Sequence, residues 1–262
     1  MGRRDPMAGL FLALSLPLIL LVLLPLGNMI CRPSLAMMVE TIRDPEVVAA
    51  IGRSLGFSLT AGGLALVLGT PLAYLLSRKN FWGKRFIEGI MDLPIMIPHP
   101  VVGIALLSLA GRNHPLGRAL GRLGVEIMGT GTGIVCALLF VGLPFFVGTA
   151  KAGFDTVPLR LEKASRTLGA GTLSTFFRIT FPLTWRHLVL GLVMCTARGI
   201  SEFGAIVIVA YHPMTAPVLI YERFTAYGLK YSQPVAVWLI FISLMLFLVL
   251  RMLSRGTSPV RS

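Results

Sequence analysis

Six apolar stretches dominate the 262-residue sequence, near residues 10–30, 53–77, 93–110, 131–150, 187–210 and 234–252. Each is close to the length of about 20 residues that an α-helix needs to cross a bilayer core of about 30 Å. Charged residues make up only 13% of the chain, whereas a soluble domain carries about a quarter. The sequence therefore predicts an all-α polytopic membrane protein with about six transmembrane helices, folded as one domain over residues 1–262.

The first apolar stretch has two interpretations. Arg3 and Arg4 precede an apolar run over residues 7–30, and Ser34-Leu35-Ala36 resembles a signal-peptidase site. The run is nevertheless longer than the 7–15 apolar residues of a typical signal peptide. We favour a retained first helix, with a removable signal peptide as the alternative.

The distribution of basic residues predicts how the chain sits in the membrane. The formal net charge is +13, but the Lys and Arg residues lie between apolar stretches, so no nucleic-acid partner is expected. With the amino terminus placed inside, 15 of the 24 Lys and Arg residues fall in inside segments and 7 in outside segments. Because cytoplasmic loops carry the excess of basic residues, we predict a multi-pass protein of the cell membrane with both termini cytoplasmic.

Several chemical functions lack a sequence signature in this chain. No Gly-x-x-x-x-Gly-Lys-Ser/Thr loop for nucleotide phosphates is present, so any ATPase must be a separate chain. Cys31, Cys136 and Cys195 are widely spaced, which argues against a metal or disulfide site. His99 has no Glu or Cys at ligand spacing, and the serines show no hydrolase pattern. We therefore predict a non-enzymatic chain with no catalytic residue and no metal site.

The longest predicted inside loop, residues 151–186, carries two short amphipathic helices. Thr156 is placed to cap the first helix and Gly169 to end it, while Thr172 can cap the second and Pro182 is expected to break the chain before the fifth span. Glu162 and Arg166 are spaced as an i,i+4 ion pair. One predicted apolar face contains Leu161, Ala164, Ser165 and Leu168, and the other contains Leu173, Phe176 and Phe177. Such helices lie on a membrane surface or dock on another protein, and composition alone does not separate the two.

This loop resembles the "EAA" loop of ATP-binding-cassette (ABC) importer permeases. Gly169, Ile179 and Pro182 have the spacing of that motif, whereas Lys163 stands at the motif's Glu position and Glu162 lies one residue earlier. The resemblance implies a cytoplasmic coupling helix that sits in a groove of an ATPase subunit. The residues implied in coupling are Leu161, Glu162, Lys163, Ala164, Ser165, Leu168, Gly169, Phe176, Ile179 and Pro182.

Three further segments, residues 69–94, 93–106 and 197–224, resemble permeases of oxyanion importers, most closely the molybdate/tungstate type, with the sulfate/thiosulfate type as the alternative. The resemblance covers residues 45 to 250. It implies a homodimeric permease, an extracytoplasmic oxyanion-binding protein, and ATP and Mg on the partner ATPase, with no cofactor on this chain.

Charges inside the predicted spans are rare and identify one further candidate site. Arg198 and Glu202 are four residues apart in the predicted fifth span, with Ser201 beside them. Charges within a membrane are costly and normally face the bundle interior or a wet cavity. The group is either a packing ion pair or a pathway or gate element. An ion-coupled carrier and a membrane-embedded enzyme are the rival functions that the sequence leaves open.

Overall fold

The computed structural model describes residues 6–111 and 113–254, and these residues form helices without any strand. In chain order the helices are α1 (Pro6–Cys31), α2 (Leu35–Arg43), α3 (Pro45–Leu64), α4 (Thr70–Arg78), α5 (Lys84–Met96), α6 (His99–Ala110), α7 (Pro115–Arg122), α8 (Gly131–Thr156), α9 (Leu159–Thr167), α10 (Thr172–Thr175), α11 (Phe181–Ile200), α12 (Ile206–Val209), α13 (Ala216–Tyr227) and α14 (Leu229–Ser254). Two π-helical segments, Ala65–Gly69 and Phe176–Thr180, join α3 to α4 and α10 to α11.

Five helical segments are long and apolar enough to cross a membrane: Ala13–Cys31, Pro45–Arg78, Gly131–Thr156, Thr172–Ile200 and Leu229–Met252. A sixth span is counted if α5 and α6, which meet at a 114° bend, are taken together. The predicted all-α polytopic fold with about six spans is confirmed.

The centre of the bundle is the antiparallel pair of α8 and α11. Small residues let them approach closely, because a Cβ added at Gly142 of α8 would lie 2.5 Å from Cys195 Sγ of α11. On another side of α11, a Cβ at Gly62 of α3 would lie 2.5 Å from Thr196 Oγ1. Small residues at such contacts let membrane helices pack through van der Waals contact. Residues 142, 62 and 195–196 therefore lie at nearly the same depth.

Two predicted spans are broken in the structure. The predicted third span, 93–110, ends one helix at Met96 and begins the next at His99, because the Pro98-His99-Pro100 sequence cannot maintain straight helical hydrogen bonding. The predicted fifth span, 187–210, leaves the helix after Ile200 and forms a turn before the short helix α12.

The predicted 151–186 loop is shorter in the structure. Helix α8 continues to Thr156, so this threonine ends a helix and does not cap α9, whose N-cap position is Pro158. Thr172 lies inside α10, and Gly171 holds the N-cap position. Pro182 does not break the chain, because the π-helical segment before it lets the helix run continuously from Thr172 to Ile200. Of the predicted loop, only residues 157–171 lie between the two spans.

Candidate functional site

Helix α9 is attached to the bundle through one buried carboxylate. Glu162 is 5% exposed, and its Oε1 accepts hydrogen bonds from Arg78 Nε at 2.9 Å and from Thr180 Oγ1 at 3.0 Å. Its Oε2 accepts a longer hydrogen bond from the Tyr74 hydroxyl at 3.4 Å. Three elements, α4, α9 and the Phe176–Thr180 segment, thus meet at this side chain.

Arg78 completes this anchor. Its Nη2 donates to the carbonyl of Val157 at 3.1 Å, so the guanidinium fixes the point where the chain leaves α8. The Arg78 and Glu162 side chains are only 7% and 6% exposed, and buried charges are stable only when they are paired and hydrogen-bonded. The aromatic rings of Tyr74, Phe154 and Phe176 pack edge to face or tilted beside the pair. The start of α9 is therefore rigidly placed. We call Glu162, Arg78, Tyr74 and Thr180 the α9 anchor.

The predicted Glu162–Arg166 ion pair is wrong, since the ion-pair partner of Glu162 is Arg78. Sequence analysis missed Arg78, Tyr74 and Thr180. Arg78 and Tyr74 are one helical turn apart, but nothing in the sequence indicates that Glu162, 84 residues after Arg78, faces them.

The opposite face of α9 is open. Lys163 and Ala164 are exposed, and so are Leu161 and Leu168, with 39% and 88% of their surface accessible. Gly169 follows Leu168, the C-cap residue of α9, with φ +88°, a left-handed conformation that glycine adopts without strain. The prediction that Gly169 ends this helix is confirmed.

The second short helix continues the same surface. Ser165 and Thr175 share a hydrogen bond at 3.1 Å between their hydroxyl oxygens, which sets α10 against α9. Phe177 is 61% exposed and Pro182 is exposed, whereas Phe176 and Ile179 are half-buried. The predicted coupling residues therefore divide into an inward group that holds the element and an outward group that is free to contact another protein.

The second candidate site lies where α11 ends. Arg198 Nη2 donates to Glu202 Oε2 at 2.8 Å, so the predicted pair forms. Glu202 stands in the turn after α11, and the pair does not share one continuous helix. The Glu202 side chain is 1% exposed, and its Oε1 accepts the backbone N–H of Ala205 at 2.9 Å. Arg198 Nη1 also donates to Ser201 Oγ at 3.2 Å.

His99, the first residue of α6, joins this pair from the other broken span. Its ring nitrogens lie 2.6 Å and 3.0 Å from Arg198 Nη2, and Nδ1 lies 3.5 Å from Glu202 Oε2. Sequence analysis considered His99 only as a metal ligand. Across residues 6–111 and 113–254 no group of three His, Cys, Asp or Glu side chains is arranged to hold a metal ion. We call His99, Arg198, Ser201 and Glu202 the intramembrane cluster.

The depth of the intramembrane cluster follows from the packing of α8 against α11. Cys195 lies opposite Gly142, which is the twelfth residue of α8. At a rise of 1.5 Å per residue, Arg198 is about 12 Å below the Gly131 end of α8. The α9 anchor lies at the other end of the bundle. One site therefore lies within the length of the spans and the other lies at their end.

A bundle of apolar spans with a charge cluster among them is typical of a membrane transport protein. The model of the family "Binding-protein-dependent transport system inner membrane component" matches residues 65–258, and the chain belongs to this family. The predicted role as the membrane-spanning permease subunit of a transport system is confirmed.

Curated relatives match along nearly the whole chain. The molybdate/tungstate transport system permease protein of Pyrococcus abyssi is 43% identical over 255 residues, covering 97% of this chain and 98% of the relative. Its counterpart in Methanocaldococcus jannaschii is 41% identical, covering 90% and 92%. The sulfate transport system permease protein CysT of Synechocystis is 27% identical, covering 91% and 86%.

Solved structures agree on the fold. A bacterial alginate ABC transporter, in complex with its alginate pentasaccharide-bound periplasmic protein, contains a chain that matches with a TM-score of 0.75 at 17% identity, covering 95% of each chain. The MetNI methionine ABC transporter contains another, with a TM-score of 0.67 at 16% identity, covering 81% of this chain and 96% of that one. The predicted ABC importer permease fold is thus confirmed.

Proposed function

We propose that this chain is the permease of an ATP-driven importer for a tetrahedral oxyanion, of the molybdate/tungstate class. The observation that supports the substrate class is the identity of 41–43% to four molybdate/tungstate permeases, along 90–97% of this chain. Permeases of the sulfate type are 27–34% identical, so sulfate is the second candidate.

In this proposal α9 is the coupling helix. The ATPase is a separate chain that binds ATP and Mg, and movement of its nucleotide domains reaches the permease through α9. The outward residues Leu161, Lys163, Ala164 and Leu168 contact the ATPase. The α9 anchor transmits the movement into α4 and α11, because Glu162 bonds both Arg78 and Thr180. A rigid link of this kind is what a mechanical coupling element needs.

The proposed complex contains two copies of this chain and an extracytoplasmic binding protein. A second copy is proposed because six spans in one chain form only half of the usual importer, and because α1 presents its apolar side chains outward: none of the Ala13–Cys31 window is buried within the chain. A second copy and lipid would cover this surface. Both termini and α9 are proposed to be cytoplasmic, on the basis of the 15-to-7 distribution of basic residues.

The test uses two glycines that border the same turn. Gly169 has φ +88°, whereas Gly171 has φ −67°, and a Cβ at either position would meet no atom within 4 Å. Valine at 169 is strained by the backbone alone, because a left-handed conformation costs a residue with a Cβ roughly 1–2 kcal/mol. We expect Gly169→Val to redirect α10 and to reduce the copurified ATPase subunit at least fivefold, with normal membrane insertion.

Gly171→Val is the matched control and is expected to retain the ATPase subunit. The same preparations, reconstituted with the binding protein, are then assayed for uptake of molybdate and sulfate. Equal retention of the ATPase by both variants would exclude α9 as the coupling helix. Uptake of sulfate in preference to molybdate and tungstate by the unmutated complex would replace the proposed substrate class.

A further inference from the structure

The intramembrane cluster buries its carboxylate and leaves its other polar side chains partly exposed. The Glu202 carboxylate is 1% exposed, and both of its oxygens already accept hydrogen bonds, from Arg198 and from the Ala205 backbone. In contrast, the side chains of Arg198 and His99 are 19% and 40% exposed, and Ser201 is exposed. A carboxylate beside an anion path would repel the cargo, but here the open side carries a guanidinium, an imidazole and a hydroxyl.

The Arg198 guanidinium already has partners within the cluster. A guanidinium only donates; Nη2 donates to Glu202 Oε2 at 2.8 Å and lies 2.6 Å and 3.0 Å from the two ring nitrogens of His99. Nη1 donates to Ser201 Oγ at 3.2 Å. The guanidinium is thus paired with the Glu202 carboxylate. Such a site attracts a dianion through its polar side chains. It binds the dianion less strongly than two unpaired cations would.

The cluster lies where both broken spans meet. His99 starts α6 after the 114° bend, and Glu202 lies in the turn between α11 and α12. The two breaks are in close contact, since a Cβ added at Gly204 would lie 3.0 Å from His99 Cβ. In membrane transporters, interrupted helices occur where the backbone lines a cavity or a binding site. The position of the cluster between two broken spans thus agrees with the partial exposure of its guanidinium, imidazole and hydroxyl.

We propose that His99, Arg198 and Ser201 form a transient contact for the tetrahedral oxyanion on its way through the permease, and that Glu202 is a positioning residue that holds Arg198 in place. The proposal rests on the proposed import of an oxyanion dianion. A guanidinium that is paired with Glu202 and has polar neighbours offers a dianion hydrogen bonds inside the membrane without binding it strongly, and weak binding permits release. The alternative is that the cluster only packs two broken helices together.

Ser201 offers a test in which size and charge are separated. Ser201→Asp and Ser201→Asn place side chains of nearly equal size on the open face, but only the aspartate adds a negative charge beside the path. Repulsion between a carboxylate and a dianion a few ångströms apart slows passage about tenfold even at the dielectric constant of water. We expect Ser201→Asp to carry molybdate at least tenfold more slowly than Ser201→Asn in the reconstituted complex, with equal amounts of copurified ATPase. Equal rates in the two variants would overturn the proposal.

His99 supplies a second, independent pair of variants in case Ser201→Asp does not assemble. Gln can both accept from Arg198 and donate, whereas Leu has a similar volume without either group. We expect His99→Leu to transport molybdate at least fivefold more slowly than His99→Gln at matched thermal stability. Equal transport by these two variants would assign the cluster to packing alone. The unmutated complex separates the two proposals. If it transports no oxyanion, the proposed function fails. If it transports normally and the paired variants do not differ, only the contact site is rejected.

Discussion

Two of the Arg–Glu pairs in the part of the chain that the structure describes differ in almost everything except their chemistry. Arg78 and Glu162 are 84 residues apart in sequence, and both side chains are at most 7% exposed. Arg198 and Glu202 are four residues apart, and the arginine is 19% exposed while the glutamate is 1% exposed. The first pair is sealed, meaning that both side chains are buried, and it joins separate helices. The second pair is local in sequence and open, meaning that its arginine is partly exposed.

This difference indicates what each pair can do. In the α9 anchor the guanidinium is used on Glu162, Val157 and Ser77, so the pair determines a geometry. In the intramembrane cluster the guanidinium also bonds three side chains, but it and its neighbours His99 and Ser201 remain partly exposed to a passing solute. Substitutions in the anchor should therefore alter stability and assembly, and substitutions in the cluster should alter transport.

The largest effect on stability and assembly is expected from substitution of Glu162. Glu162→Gln leaves the buried Arg78 guanidinium without a counter-charge, and loss of one partner of a buried pair typically costs about 3–5 kcal/mol. We expect a clear decrease in the thermal unfolding midpoint of the detergent-solubilised permease, together with loss of copurified ATPase. Lys163→Gln removes an exposed charge from the adjacent residue and is expected to leave the unfolding midpoint unchanged. An unaltered midpoint in Glu162→Gln would mean that the anchor does not stabilise α9.

The same contrast explains what the sequence could predict. The six spans were predictable because hydropathy is a property of each segment alone, and the Arg198–Glu202 pair was predictable because its spacing of four residues is visible in the chain. The Arg78–Glu162 pair depends on the packing of α4 against α8 and α9. Nothing in the sequence therefore indicates that these two residues are partners. Lys163 occupies the motif's Glu position, yet the neighbouring Glu162 is the residue that faces inward.

The breaks in the third and fifth spans were not predictable for a related reason. Pro17, Pro25 and Pro144 all lie inside continuous helices, whereas the prolines around His99 accompany a 114° bend. A proline in a membrane helix is tolerated when neighbouring groups satisfy the freed backbone, and those neighbours are known only from the fold. His99 was overlooked because its importance depends on this bend.

A smaller effect is expected when each arginine is replaced by lysine, which retains the charge but has a single donor group. Arg78 uses three different nitrogens, so Arg78→Lys loses hydrogen bonds to buried acceptors at about 1–3 kcal/mol. Arg198→Lys can still reach Glu202 and should change the unfolding midpoint little, while it slows molybdate transport severalfold. Thermal unfolding and uptake are measured on both variants. If the two lysine variants changed the same property, the distinction between a sealed and an open pair would be wrong.

The ion pair of Arg223 with Asp44 is expected to contribute the least to stability. Arg223 of α13 donates to Asp44 and, at 3.3 Å, to Glu46. The Asp44 side chain is 34% exposed, and such exposed pairs typically contribute less than about 1 kcal/mol. Burial would raise the pKa of Asp44, but the hydrogen bonds from Arg223 and from the Glu46 backbone, together with the charge of Arg223, lower that pKa below its ordinary value of 3.8.

Asp44→Asn tests this pair cleanly, because asparagine also serves as the N-cap that Asp44 provides for α3. Since folding lowers the pKa of Asp44, the contribution of its charge is fully present above the unfolded-state value near 3.8 and is lost as the pH falls through the folded-state value. We expect a slightly lower unfolding midpoint for Asp44→Asn at pH 7, with a difference that disappears in acid. In Glu162→Gln, by comparison, the decrease at pH 7 should be several times larger. If the lower midpoint of Asp44→Asn persisted in acid, the carboxylate charge would not be the source of its contribution. If the decrease in midpoint were as large as that of Glu162→Gln, burial would not be the property that separates the pairs.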